Sequence, residues 1–173
     1  VESAHDTFYT SNNTSFDLRK RLLKRVAELL LEAKYFYAGL MTEEMGKPFK
    51  QSIAEVEKCS WVSSYYSENA DSMLANEHIS TDASRSYVRF DPLGVILAVM
   101  PWNFPFWQVV RFAAPTLMAG NTRILKHASN VPGCGVAIEE LFRKAGYPEA
   151  VFTNLSIGST KVKEIIDSPF VKA

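Results

Sequence analysis

Cysteine is nearly missing from this chain: Cys59 and Cys134 are the two in 173 residues, too few for a disulfide framework. Histidine is scarce as well. His5, His78 and His127 stand far apart without carboxylate or cysteine partners at ligand spacing, so no metal centre is expected. Net charge is absent, 19 basic side chains balancing 19 acidic ones, which argues against a polyanionic partner. The basic cluster Arg19, Lys20, Lys24 and Arg25 is followed on the same element by Glu28 and Glu32, the pattern of a solvated helix face rather than a nucleic-acid surface. No uninterrupted apolar run reaches the length of a membrane span and no cleavable secretory signal opens the chain, so no membrane partner is expected and the cytosol is the expected compartment. A G-x-G-x-x-G fingerprint is also missing: Gly133, Cys134 and Gly135 are followed by Val136, Ala137 and Ile138.

What is present begins with V-I-L-A-V-M-P-W-N-F-P. Val95–Met100 is uncharged and apolar, which predicts a strand buried on both faces. Pro101 stops it. Pro105 suits the first turn of a helix, and the apolar-rich segment after it predicts a helix over Pro105–Met118, closed by Ala119 and Gly120. A second strand over 122–125 ending at Lys126, and a second helix over 132–145 closed by Gly146, repeat the rhythm of an α/β chain with an open parallel sheet. Asn103, a neutral donor, and Lys126, a cation, then fall at the carboxyl ends of neighbouring strands, where such sheets bind ligands. Taken alone, Asn103 also suits a turn or a helix cap, and Lys126 a solvated surface charge.

The division expected is a helical segment over 1–75, a hairpin over 76–91 and the sheet unit over 92–173. In the first part Leu18, Leu22, Val26, Leu29 and Leu30 recur at helical steps, and a further helix is expected over 53–74, with Trp61, Tyr65 and Tyr66 in core packing. His78 to Ser80 and Tyr87 to Phe90, around a polar turn, predict the hairpin. Cys134, at the opening of a helix, could have a lowered pKa, although a buried or semi-buried free thiol is the commoner state for such a cysteine. Ile157, Gly158, Ser159 and Thr160 suggest a strand-to-helix turn with Ser159 as cap.

Pro101-Trp102-Asn103-Phe104-Pro105, the Ala119-Gly120-Asn121-Thr122 turn, Leu125-Lys126-His127-Ala128-Ser129 and Glu43-Glu44-Met45-Gly46-Lys47-Pro48 together resemble the aldehyde dehydrogenase superfamily over nearly the whole chain. Within it the chain is most similar to the succinate-semialdehyde dehydrogenases, since Trp107, Gln108 and Arg111 follow the first motif and His127 rather than proline follows Lys126.

The resemblance implies N-terminal helices and an oligomerisation hairpin leading into a truncated Rossmann-like sheet. It implies Asn103 as the amide holding the aldehyde oxygen as it gains charge, a role for which a neutral donor is suited. NADP or NAD would lie against the backbone of Met100, Pro101 and Trp102 and against Lys126, His127, Ala128 and Ser129. Ser129 stands where many NAD-preferring members carry glutamate, and its lack of charge removes the repulsion of a 2'-phosphate. Phe104, Trp107, Gln108 and Arg111 would line the substrate path. The guanidinium of Arg111 could grip a carboxylate, or could instead stack on Trp107 or pair with a structural acid. The family's nucleophilic cysteine and base glutamate lie beyond the residues present, so the chain is expected to be an inactive fragment alone. A non-catalytic nucleotide-binding or oligomerisation module and a CoA-acylating relative are the alternatives.

Overall fold

The computed structural model describes residues 1–11 and 14–173. Four helices come first: α1 (Glu2–Ser11), α2 (Phe16–Glu32), α3 (Lys34–Met45) and α4 (Phe49–Met73). Ser15 caps α2 by accepting the Leu18 N–H, and Gly46, at φ 71°, supplies the left-handed turn that ends α3. A short antiparallel hairpin, β1 (Glu77–His78) with β2 (Tyr87–Val88), follows, with His78 opposite Tyr87. The sheet unit then runs β3 (Val95–Met100), α5 (Pro105–Met118), β4 (Thr122–His127), α6 (Pro132–Lys144), β5 (Phe152–Asn154) and α7 (Val162–Ile166), with a 3-10 turn at Ser159–Lys161 before α7.

The three strands are parallel in the order β3, β4, β5, with Val99 beside Lys126 and Met100 beside His127. Chain order and spatial order reverse at β3. Val171 bridges Val95 on its free side, and the Leu97 N–H donates to the Ala173 carbonyl at 2.7 Å. The carboxyl end of β3 is therefore the point at which the sheet grows in both directions, the place where open α/β sheets form a crevice.

One face of the sheet carries the main core, in which Ala98 and Leu125 meet Phe106, Val110, Ile138 and Leu141 from α5 and α6 and Leu23, Val26, Leu30, Met41 and Val56 from the first helices. The other face holds a small cluster of Ala4, Val95 and Ile124, and the Thr122 hydroxyl ties it to α1 by donating to the Ala4 carbonyl at 2.9 Å.

Several expectations change. β4 continues through Lys126 and His127, both buried, rather than stopping at residue 125. β3 is not covered on both faces along its length, since Val99 is 54% exposed where α1 no longer reaches. On α2 the buried stripe is Leu23, Val26, Ala27 and Leu30, while Leu18 is exposed and Leu22 and Leu29 flank the core. Arg19 is not a solvated charge: it is half-buried, stacks over Phe16 and donates to the Met118 carbonyl. α4 begins four residues before the expected 53, at Phe49, and of its aromatic trio only Tyr66 packs on the core. Trp61 and Tyr65 stack on each other in the open. Ser159 caps nothing; Gly158 precedes the 3-10 turn.

Arg123 is the least comfortable residue in the core. It is 1% exposed, none of its three guanidinium nitrogens has a hydrogen-bond partner among the described residues, and desolvation holds its pKa down to about 9. Replacing it by methionine keeps most of the volume and removes buried donors that nothing satisfies. Arg123→Met is expected to stabilise the fold by about 1–3 kcal/mol, read as a rise in the urea unfolding midpoint.

Candidate functional site

Two loops meet at the carboxyl ends of β3 and β4. The first, from Pro101 to Phe104, is exposed throughout and carries Asn103; Pro105 opens α5 behind it. The second carries Ala128 and the exposed Ser129 towards Val131 and α6. Pairing of Val99 with Lys126 and of Met100 with His127 sets the two loop starts side by side.

Alternation along β4 separates the two basic residues at its end. His127 points towards α5: its Nδ1 accepts the Ala128 N–H at 2.9 Å, which leaves the proton on Nε2 to be donated to the Pro105 carbonyl at 3.0 Å. Burial lowers its pKa from the ordinary 6.5. The folded chain thus holds this imidazole neutral, and below pH 6.5 the unfolded chain binds a proton that the folded one refuses. Stability is expected to fall as pH drops through that value, and the urea midpoint of His127→Gln should lose less between pH 7 and pH 5 than that of the wild type.

Lys126 occupies the opposite face, that of Thr122 and Ile124. It is 6% exposed, yet its ammonium has no hydrogen-bond or ion-pair partner among the described residues. Its Nζ is not among the sealed polar atoms that lack a partner, so the stem is buried while the ammonium opens at the crevice end of the sheet, suited to hydroxyl or phosphate oxygens. Beyond it His127, Ala128, Ser129 and Pro132 join residues 154–158 around a cavity of about 270 Å³.

The loop bearing Asn103 is held from behind by a pair that motif reading did not single out. Lys47, at the α3–α4 junction, and Glu55, on α4, form an ion pair with both residues buried. Glu55 Oε1 accepts the N–H groups of Phe106 and Trp107, each at 2.9 Å, and so caps α5. Lys47 Nζ donates to the Asn103 carbonyl at 3.3 Å and lies 3.7 Å over the Phe104 ring. Glu44 does the same for α6, accepting from Gly133 N–H at 2.6 Å and Cys134 N–H at 2.8 Å. Carboxylates at helix N-termini match the partial positive charge there. Glu44 and Lys47 sit in the Glu43 to Pro48 motif, but no sequence spacing links Glu44 or Glu55 to helices 51 to 90 residues away.

Cys134 is corrected by the same contact. Its thiol is buried beside Glu44, and desolvation with that carboxylate pushes its pKa up, not down. Burial raises the Cys59 pKa as well. Neither is a poised nucleophile.

Phe104 and Trp107 do share a wall with α4, while Gln108 and Arg111 lie further along α5. Arg111 does not stack on Trp107 and meets no carboxylate among the described residues; it is exposed and donates to the Gln108 side chain at 3.2 Å. Lys58 occupies the face of Trp107 instead, at 4.0 Å.

The sequence pattern of the aldehyde dehydrogenase family matches residues 1–173. The chain is 49% identical over 173 residues to a probable succinate-semialdehyde dehydrogenase [NADP(+)] of Synechocystis, covering 100% of this chain and 38% of that protein. It is 46% identical over 176 residues to succinate-semialdehyde dehydrogenase [NADP(+)] 1 of Mycobacterium tuberculosis, again with 100% and 38% covered. The crystal structure of succinic semialdehyde dehydrogenase from Streptococcus pyogenes in complex with NADP+ superposes with a TM-score of 0.94 at 37% identity, covering 98% of this chain and 38% of that one. The chain thus spans 38% of the length of these relatives.

Proposed function

We propose, because this chain belongs to the aldehyde dehydrogenase family, that it is the early part of an NADP-dependent enzyme oxidising succinate semialdehyde to the dicarboxylic acid. The observation that carries the reading is the pairing of β3 with β4, which brings Asn103 and Lys126, whose ammonium has no partner among the described residues, to one end of the sheet.

In this reading Asn103 donates to the aldehyde oxygen as it becomes an oxyanion, a neutral amide stabilising the developing charge without binding the ground state equally. Lys126 and Ser129 hold the adenosine side of the cofactor, with His127, Ala128 and the Met100 to Trp102 backbone alongside. Ser129, carrying no charge, admits a 2'-phosphate. The cofactor, when bound, accepts the hydride. Phe104, Trp107 and Gln108 exclude water from the aldehyde's path, and Arg111 meets the far carboxylate. The attacking thiol and the base belong to the rest of the enzyme, since the chemistry of Cys59 and Cys134 suits neither role.

The helical part over 1–75 and the sheet unit over 92–173 then build the two walls of the site. The hairpin over 76–91 joins subunits of a cytosolic homo-oligomer. Exposed Ile79, Tyr87, Val88 and Phe90 support that use, being apolar side chains on an unpaired edge.

The test is steady-state kinetics of the full-length enzyme. It is expected to reduce NADP with succinate semialdehyde, and Ser129→Glu is expected to move the cofactor preference towards NAD by about tenfold or more. No NADP reduction with any aldehyde would overturn the assignment.

A further inference from the structure

Next to the Asn103 loop, α4 and α5 flank a second cavity, open to solvent and about 270 Å³ in volume, lined by Lys47, Gln51, Ala54, Glu55, Lys58, Phe104 and Trp107. Its charges do not cancel. Lys47 and Glu55 neutralise each other, and Glu55 also serves two backbone N–H groups. Glu57, the other acid next to Lys58 in sequence, is taken by Lys34 at 2.8 Å. Lys58 is left with an aromatic face, its ammonium 4.0 Å from the Trp107 centroid, and no carboxylate among the described residues.

We propose that Lys58 is a specificity-determining residue that receives the carboxylate of an acidic aldehyde whose carbonyl lies at Asn103. The inference rests on the function proposed above and adds a residue to it from a different helix. Three features fit that occupant. Phe104, the residue after Asn103, lines the cavity, and Lys47 from the same lining bonds the Asn103 carbonyl, so the cavity begins at the Asn103 loop. The aromatic walls suit its methylene groups. Lys58 is exposed, so an incoming carboxylate can reach its ammonium from solvent, and the ring beneath fixes where that ammonium sits. Arg111, one turn beyond Trp107 on α5, would add a second positive charge on the same route.

The experiment compares the full-length wild type with Lys58→Met, which keeps the stem on Trp107, and with Lys58→Arg. It measures kcat/KM for succinate semialdehyde and for butanal, and succinate binding by calorimetry. In Lys58→Met the ratio of acidic to neutral kcat/KM is expected to fall about tenfold or more, through KM, and succinate binding to weaken in step. Lys58→Arg should keep both near wild type. An unchanged ratio, or an equal loss for both aldehydes, would overturn the proposal and leave Lys58 a packing residue. If the wild type itself shows no preference for the acidic aldehyde, the substrate assignment fails, and this inference with it.

Discussion

Glu55→Ala is expected to destabilise the fold by about 3–5 kcal/mol, the cost of breaking a buried ion pair from one side. The loss has two parts: Lys47 is left buried without its counter-charge, and the N–H groups of Phe106 and Trp107 lose their acceptor. Urea unfolding of the full-length protein measures it. Glu55→Gln, which still offers a carbonyl oxygen to α5, should lose less. Combining Glu55→Ala with Lys47→Met should recover a large part of the loss, because the stranded ammonium is gone. If Glu55→Ala costs no more than a surface substitution, the pair does not hold the Asn103 loop.

Asn103→Ala is expected to lower kcat of the full-length enzyme by about 10²–10³-fold with little change in aldehyde KM, the signature of a donor that acts only on the developing oxyanion. Stability should stay within about 0.5 kcal/mol, since the side chain is exposed and makes no hydrogen bond among the described residues. The two variants separate binding of the reacting oxygen from support of the loop: one loses rate at full stability, the other loses both. A kcat within about threefold of wild type in Asn103→Ala would exclude the oxyanion role.

The sheet unit was readable because its punctuation is local. Pro105 and Pro132 open α5 and α6, and Gly120 and Gly146, at φ 88° and 96°, follow their ends, so each boundary rests on a residue's own backbone preference. β4 was misjudged at its end for the opposite reason. Lys126 and His127 look like polar terminators, yet strand pairing carries both inward, and only the neighbours show how: Pro105 takes the imidazole proton, while the ammonium finds no acceptor among the described residues. Trp61 and Tyr65 have helical spacing but fall on the outer face of α4, and spacing alone does not say which face is inner. The caps from Glu44 and Glu55 were illegible because they are tertiary; a carboxylate on one helix declares nothing about an amide two elements later. The switch at β3 depends on Val171 and Ala173 meeting Val95 and Leu97, contacts between segments far apart in sequence that no local spacing announces.

Those tertiary caps have a consequence for the order in which the molecule is made. Glu44 and Glu55 leave the ribosome 51 to 90 residues ahead of the amides they receive, so α3 and α4 emerge before α5 and α6 do. Each later helix then starts against a waiting acceptor, and the entropy lost in its first turn is offset at once. Refolding from denaturant enjoys no such sequence of arrival: both caps must close long loops before either acceptor meets its amides, an entropic cost incurred all at once.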